Sequence, residues 1–215
     1  MKIYSYTDLS KEQIDDLCLR QLEDDISIRE RVNEIVDRVK LAGDTALYEY
    51  ARTFDKVELD QLFMGKEEME SIAATIPKEA KDAIDIAYQN IYTFHASQLS
   101  KEGKVETMNG VTCWRESRAI ERVGLYIPGG SAVLPSTFLM LGIPAMLAGC
   151  KEIVVCSPPQ QDGKTNCYVA YVAQKLGIEK VYLIGGAQAV AAMAFGTASV
   201  PQVYKIFGPG NRYVT

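Results

Sequence analysis

Apolar residues recur along this chain at two different rhythms. After Ser27 they fall at Val32, Ile35, Val36 and Val39, three and four residues apart, and so share one face of a helix. The strings SKEQ (Ser10 to Gln13) and SIRE (Ser27 to Glu30) have the capping-box pattern that opens a helix. Gly43 is placed to close the second of these helices. DTALYEYARTFD, Asp44 to Asp55, predicts another helix. Pro77 stands in the first turn of a longer one reaching Leu99, with Ala83, Ile86, Ala87, Asn90, Ile91 and Phe94 along one side. Residues 1 to about 100 therefore read as helical.

The rhythm then changes. In KVETMNGVTCWRESRAI, Asn109-Gly110 separates two β-prone runs, which predicts a two-stranded ribbon. Trp114, in the second run, is expected to pack the ribbon onto the helical part. From Arg122 strands and helices alternate. RVGLYIPGG, KEIVVCSP, KVYLIGG and QVYKIFGPG read as strands; STFLMLGIPAMLAGC, CYVAYVAQKLG and AQAVAAMAFGTA read as helices. Alternation with short links means βαβ units and a parallel sheet, hence an α/β fold class. The strands are continuous apolar runs, as a sheet covered on both faces requires. Pro144 interrupts the apolar helix and is expected to kink it. Lys205 puts a charge into the last strand and needs solvent, a cleft or a partner. Arg118 and Arg122, at the entry to the sheet, read as surface residues.

Composition narrows the function classes. The chain has 215 residues with 47% hydrophobic content, enough for a substantial core. Its net charge is -5, its pI is near 5.1 and its Lys and Arg residues are scattered, which argues against nucleic acid as a partner. The most apolar stretch, STFLMLGIPAMLAGC, is too short and too broken by Gly and Pro to span a bilayer, so no membrane partner is expected. Five cysteines, Cys18, Cys113, Cys150, Cys156 and Cys167, form no C-x-x-C pair and suit a reduced, cytoplasmic protein. The polar N-terminus does not read as a signal peptide.

Candidate chemistry concentrates at the strand ends. Three strands finish in Gly129-Gly130, Gly185-Gly186 and Gly208-Pro209-Gly210. Ligands of parallel sheets bind beyond the carboxyl ends of the strands, where glycine lets backbone N–H groups approach a phosphate. Tight strand-to-helix turns need such residues too, so each turn alone has a structural reading. Three on one edge favour a nucleotide-sized ligand, with Tyr126, Ser131, Gln188 and Asn211 as the side chains placed to contact it. The G-x-G-x-x-G fingerprint is absent, and no acidic residue closes the second strand.

The strings RVGLYIPGGSAVLPSTFLMLGIPAMLAGC, EIVVCSPP, LIGGAQAVAAMAFGT and VYKIFGPGN, with NIYTFHASQ upstream, together resemble histidinol dehydrogenase. The resemblance runs over nearly the whole chain. It implies a helical N-terminal region plus β-ribbon over residues 1–121, then an incomplete Rossmann-like parallel βα sheet over 122–215, the NAD-side domain. It also implies a homodimeric, zinc-dependent enzyme of histidine biosynthesis that oxidises L-histidinol to L-histidine through the aldehyde with NAD. By motif match its NAD contacts fall on Tyr126 in GLYIPGG, Gln188 in GGAQA and Asn211 in GPGN. Family members are about twice as long, and their zinc ligands and catalytic Glu-His pair lie in the later part. The chain is thus expected to be an N-terminal fragment, inactive alone. His95 is the single histidine and reads as structural; Asp44, Asp55 and Glu116 read as ordinary solvated carboxylates. Two other readings stand beside this one. One is a self-contained nucleotide-binding α/β module; the other is a dehydrogenase with a cysteine nucleophile, which would need a depressed thiol pKa.

Overall fold

The structure, a computed structural model, describes residues 3–18, 26–99, 103–129, 134–210 and 214. The chain opens with α1 (Lys11–Cys18), α2 (Ile26–Ala42) and α3 (Asp44–Tyr50), the last running into a π-helical turn at Ala51–Asp55. Then come β1 (Phe63–Gly65), α4 (Lys66–Ala74), α5 (Lys78–Ala96) and the ribbon β2 (Val105–Met108) and β3 (Val111–Cys113). The alternating part follows as β4 (Arg122–Tyr126), α6 (Pro135–Leu147), β5 (Glu152–Ser157), α7 (Cys167–Lys175), β6 (Lys180–Leu183), α8 (Gly186–Phe195) and β7 (Lys205–Phe207).

Local signals explain the boundaries. Ser10 and Gln13 form the reciprocal cap of α1, at 2.9 and 3.2 Å. Ser27 lies inside α2 rather than ahead of it. Gly43 ends α2 at a φ of +53°, and Gly110 turns the ribbon at +80°. Asn166 caps α7 by accepting from the Tyr168 N–H at 2.9 Å. Pro144 sits inside α6 without ending it.

The sheet runs β1-β6-β5-β4-β7, with β4 through β7 parallel. Its one antiparallel member, β1, comes from the stretch that reads as helical in sequence. Three residues are too few to display a strand period, and β1 gains its hydrogen bonds only by covering the open edge of β6. Side chains on each strand alternate between two cores. Leu125, Val155, Val181 and Leu183 face α6 and α7, behind which lie α4 and α5. Tyr126, Val154, Cys156 and Tyr182 face the other side, against α8, α2 and α3. At roughly 25 cal/mol per Å² of apolar surface, these two cores are the main stabilising term.

Two expectations change, and Lys205 takes one of the outcomes open to it. The inward face of α5 is Ile84, Ala87, Tyr88 and Ile91, while Ile86 and Phe94 are 64% and 62% exposed. Trp114 does not pack the ribbon onto the helices: it is 56% exposed and carries the Lys104 Nζ 4.9 Å over its ring. Lys205 is exposed and sits 5.3 Å over the Phe207 ring, so its charge stays in solvent.

Candidate functional site

The carboxyl ends of β4, β5, β6 and β7 form one rim. Pro158, directly after β5, fills its centre. A Cβ on Gly129 would lie 2.4 Å from the Pro158 Cγ, and one on Gly185 would lie 2.7 Å from its Cβ. These two glycines therefore have a packing reason: they let the turns after β4 and β6 close against a proline ring. Gly208 serves the same end beside β4, since its Cβ would come within 2.6 Å of the Tyr126 carbonyl oxygen.

Tyr126 ends β4 with its side chain 6% exposed. Its hydroxyl oxygen accepts the N–H of Gly186, the first residue of α8, at 3.0 Å. Gly186 adopts a φ of +59°, a left-handed conformation that glycine takes without strain. Burial raises the Tyr126 pKa; the bond from Gly186 opposes that rise, and the charges of Asp55 and Cys156 add to it. The phenol is therefore neutral and keeps its own proton, for which no described residue provides an acceptor.

Gln188 stands one position past Ala187 in the first turn of α8 and is 4% exposed. Its Oε1 lies 2.8 Å from where a Cβ on Gly186 would be, so the carboxamide folds back over the glycine that Tyr126 holds. It makes no hydrogen bond to any described residue. Its amide is therefore open to a further polar partner. Tyr126 and Gln188 thus converge on one residue at a helix N-terminus, where backbone N–H groups and the helix dipole favour an anion. Ser131 and Asn211 lie outside the described residues.

Sequence reasoning missed Pro158 at this rim and misread Asp55. Pro158 shows no signal until its neighbours are known. Asp55 ends the π-helical turn after α3, and burial raises its carboxyl from 3.8 to about 6. It is no ordinary solvated carboxylate. One cue was available: an acid at the C-terminal end of a helical stretch opposes the helix dipole. Asp44, also read as solvated, instead binds the Ser199 hydroxyl at 2.7 Å and backbone N–H at 3.3 Å.

The remaining candidates are structural. His95 pairs through Nδ1 with the Gln98 Oε1 at 2.8 Å. Arg122 bridges β4 to β5 through Glu152 and donates to the Gln202 carbonyl at 3.0 Å. Burial pushes the thiols of Cys156 and Cys150 up, opposite to what an activated nucleophile needs. Among the described residues no three His, Cys, Asp or Glu side chains are grouped as metal ligands. No helix among them is long and apolar enough to cross a membrane.

A mostly parallel sheet with helices on both faces and a glycine-lined carboxyl rim defines the Rossmann-like α/β class. Residues 19–215 match the family model for histidinol dehydrogenase. The chain is 50% identical over 215 residues to histidinol dehydrogenase of Bacteroides thetaiotaomicron, covering 100% of this chain and 50% of that protein. It is 50% identical over 216 residues to the chloroplastic histidinol dehydrogenase of Arabidopsis thaliana, covering 100% of this chain and 46% of that protein. The crystal structure of histidinol dehydrogenase from Elizabethkingia anophelis superposes with a TM-score of 0.84 at 46% identity, covering 87% of this chain and 43% of that one. The chain belongs to the histidinol dehydrogenase family. It spans about half the length of the curated relatives it matches.

Proposed function

We propose that this chain forms the NAD side of a histidinol dehydrogenase, which oxidises L-histidinol to L-histidine through the aldehyde in histidine biosynthesis. The observation that carries this is the convergence of the Tyr126 hydroxyl and the Gln188 amide, which has no partner among the described residues, on Gly186 at the start of α8. NAD, when bound, supplies the hydride acceptor. The residues of 122–215 hold it. Tyr126 donates its free O–H, Gln188 offers both a donor and an acceptor, and the α8 N-terminus favours the pyrophosphate charge. Asn211, in the GPGN turn, is the third contact that the family resemblance implies.

Zinc does not fit the described residues, so we assign the zinc ligands and the proton-transferring groups to the part of the relatives that this chain does not span. On this reading the 215 residues by themselves turn over no histidinol, and the whole enzyme works as a homodimer. Five free cysteines suit a reduced compartment such as the cytoplasm.

The test is calorimetric titration of the full-length protein with NAD. Gln188→Ala and Asn211→Ala should each weaken binding by about tenfold, the loss expected for one buried hydrogen bond. Unchanged affinity in both variants would overturn the reading.

A further inference from the structure

We propose that Pro158 is a positioning residue of this site: its ring, wedged between the turns that follow β4 and β6, fixes the spacing at which Tyr126 and Gln188 meet at Gly186 and thereby sets the affinity for NAD. The proposal rests on the reading that this rim holds NAD.

Placement is the first argument. In the sheet β5 lies between β4 and β6, and Pro158 directly follows β5. One ring therefore faces the turn on either side. It meets Gly129 through Cγ, 2.4 Å from the Cβ position there, and Gly185 through Cβ, at 2.7 Å. Neither glycine is required by its backbone. Gly185 is extended, at φ -108° and ψ 179°, and Gly129 is not among the positive-φ glycines. What both positions lack is room for a side chain, and the proline occupies that room. The wedge is also stiff. Ser157 and Pro158 each precede a proline, which confines both to extended backbone.

The consequence for the polar groups is the second argument. Tyr126 ends β4, and Gly129 belongs to the turn that follows it. Gly185 is the N-cap of α8 and directly precedes Gly186. The hydrogen bond from the Gly186 N–H to the Tyr126 hydroxyl, 3.0 Å long, thus joins the same two segments that the proline separates. The bond draws them together, and the ring stops them at one distance. Gln188 rides on the second segment, with its Oε1 2.8 Å from the Cβ position of Gly186. A change in the gap would shift the phenol and the carboxamide relative to each other. A ligand that must meet both at once binds best when their spacing is fixed beforehand. Pro158 has no polar side-chain atom and acts through these two residues.

The test is calorimetric titration of full-length variants with NAD, with Tm recorded for each. Pro158→Ala and Gly129→Ala should each weaken binding by about tenfold, the first by loosening the gap and the second by forcing it open. Together they should restore the affinity to within about threefold of wild type. The Cγ that the new methyl would strike at 2.4 Å is then gone, and the Cβ kept at position 158 lies at an ordinary 3.5 Å. Gly185→Ala should gain nothing from Pro158→Ala, because it meets the Cβ at 2.7 Å, which alanine retains. If Gly129→Ala alone does not fold, a folded, NAD-binding double variant is the same rescue. A ring that only stabilises the fold would lower Tm and leave the affinity of the folded protein unchanged. Unchanged affinity in Pro158→Ala, while Gln188→Ala still weakens NAD, would overturn the proposal. So would a Gly129→Ala defect that Pro158→Ala does not relieve. If Gln188→Ala and Asn211→Ala also leave NAD binding intact, the underlying reading falls with it.

Discussion

The two ends of the same sheet treat polar groups in opposite ways. At the amino end of the strands, charges are matched: Arg122 pairs with Glu152, and Lys151 pairs with Glu121 at 3.1 Å. A cavity of about 410 Å³ lies there, lined by Lys151, Glu152, Glu179 and Lys180 among others. At the carboxyl end the pattern is the reverse. Among the described residues the Gln188 amide has no hydrogen-bond partner and the Tyr126 proton has no acceptor. Polar groups that pair among themselves hold a fold together; those left open at the strand ends are free to meet a ligand. The contrast separates an end whose charges are matched from one whose polar groups are open to a ligand.

The comparison can be broken in steps of decreasing size. Gly208→Val should destabilise the protein most, by about 3 kcal/mol, because a Cβ there meets the Tyr126 carbonyl at 2.6 Å and backbone cannot yield as a flexible side chain can. Thermal unfolding would register this as a large fall in Tm. Asp55→Asn should move stability the other way. The Asp55 carboxyl titrates at 3.8 when unfolded and at about 6 when folded. Below pH 3.8 both states are protonated and the residue costs nothing; above pH 6 the folded state holds a half-buried charge. Its contribution therefore falls as pH rises from 3.8 to about 6. Discounted for its partial exposure, the gain in Asp55→Asn should be about 1–2 kcal/mol at neutral pH and absent at pH 3. Denaturant melts at the two pH values check it; a variant less stable at neutral pH would contradict it.

Smaller effects belong to the amino end and the ribbon. Glu152→Gln should cost about 1 kcal/mol or less, since both partners of its ion pair are well exposed, and should leave NAD binding unchanged. Trp114→Ala should stay within about 0.5 kcal/mol of wild type, because the ring is mostly in solvent. A large loss of stability there would mean that the ribbon is buried against something.

The alternating half was legible because burial on both faces imposes continuous apolar runs and short glycine turns. β4, α6, β5, α7, β6, α8 and β7 all fall where those runs lie. Tyr126 and Gln188 could be selected because strand ends and first helical turns can be read from local pattern. Other features depend on contacts distant in sequence. The strand β1 exists only because β6 offers an edge. The inward face of α5 is turned from the predicted stripe, because α6 and α7 decide which apolar residues are covered. Gly129 and Gly185 look like ligand glycines, yet both abut Pro158, a residue that carries no chemistry. Asp55 read as solvated because nothing local indicates that the π-helical turn is partly covered.

Amide hydrogen exchange of the full-length protein, with and without saturating NAD, tests the central claim most directly. The account predicts slowed exchange at Gly186, Ala187 and Gln188, with no change at Lys151, Glu152 or Ile153. Protection at the amino end with none at the start of α8 would contradict it.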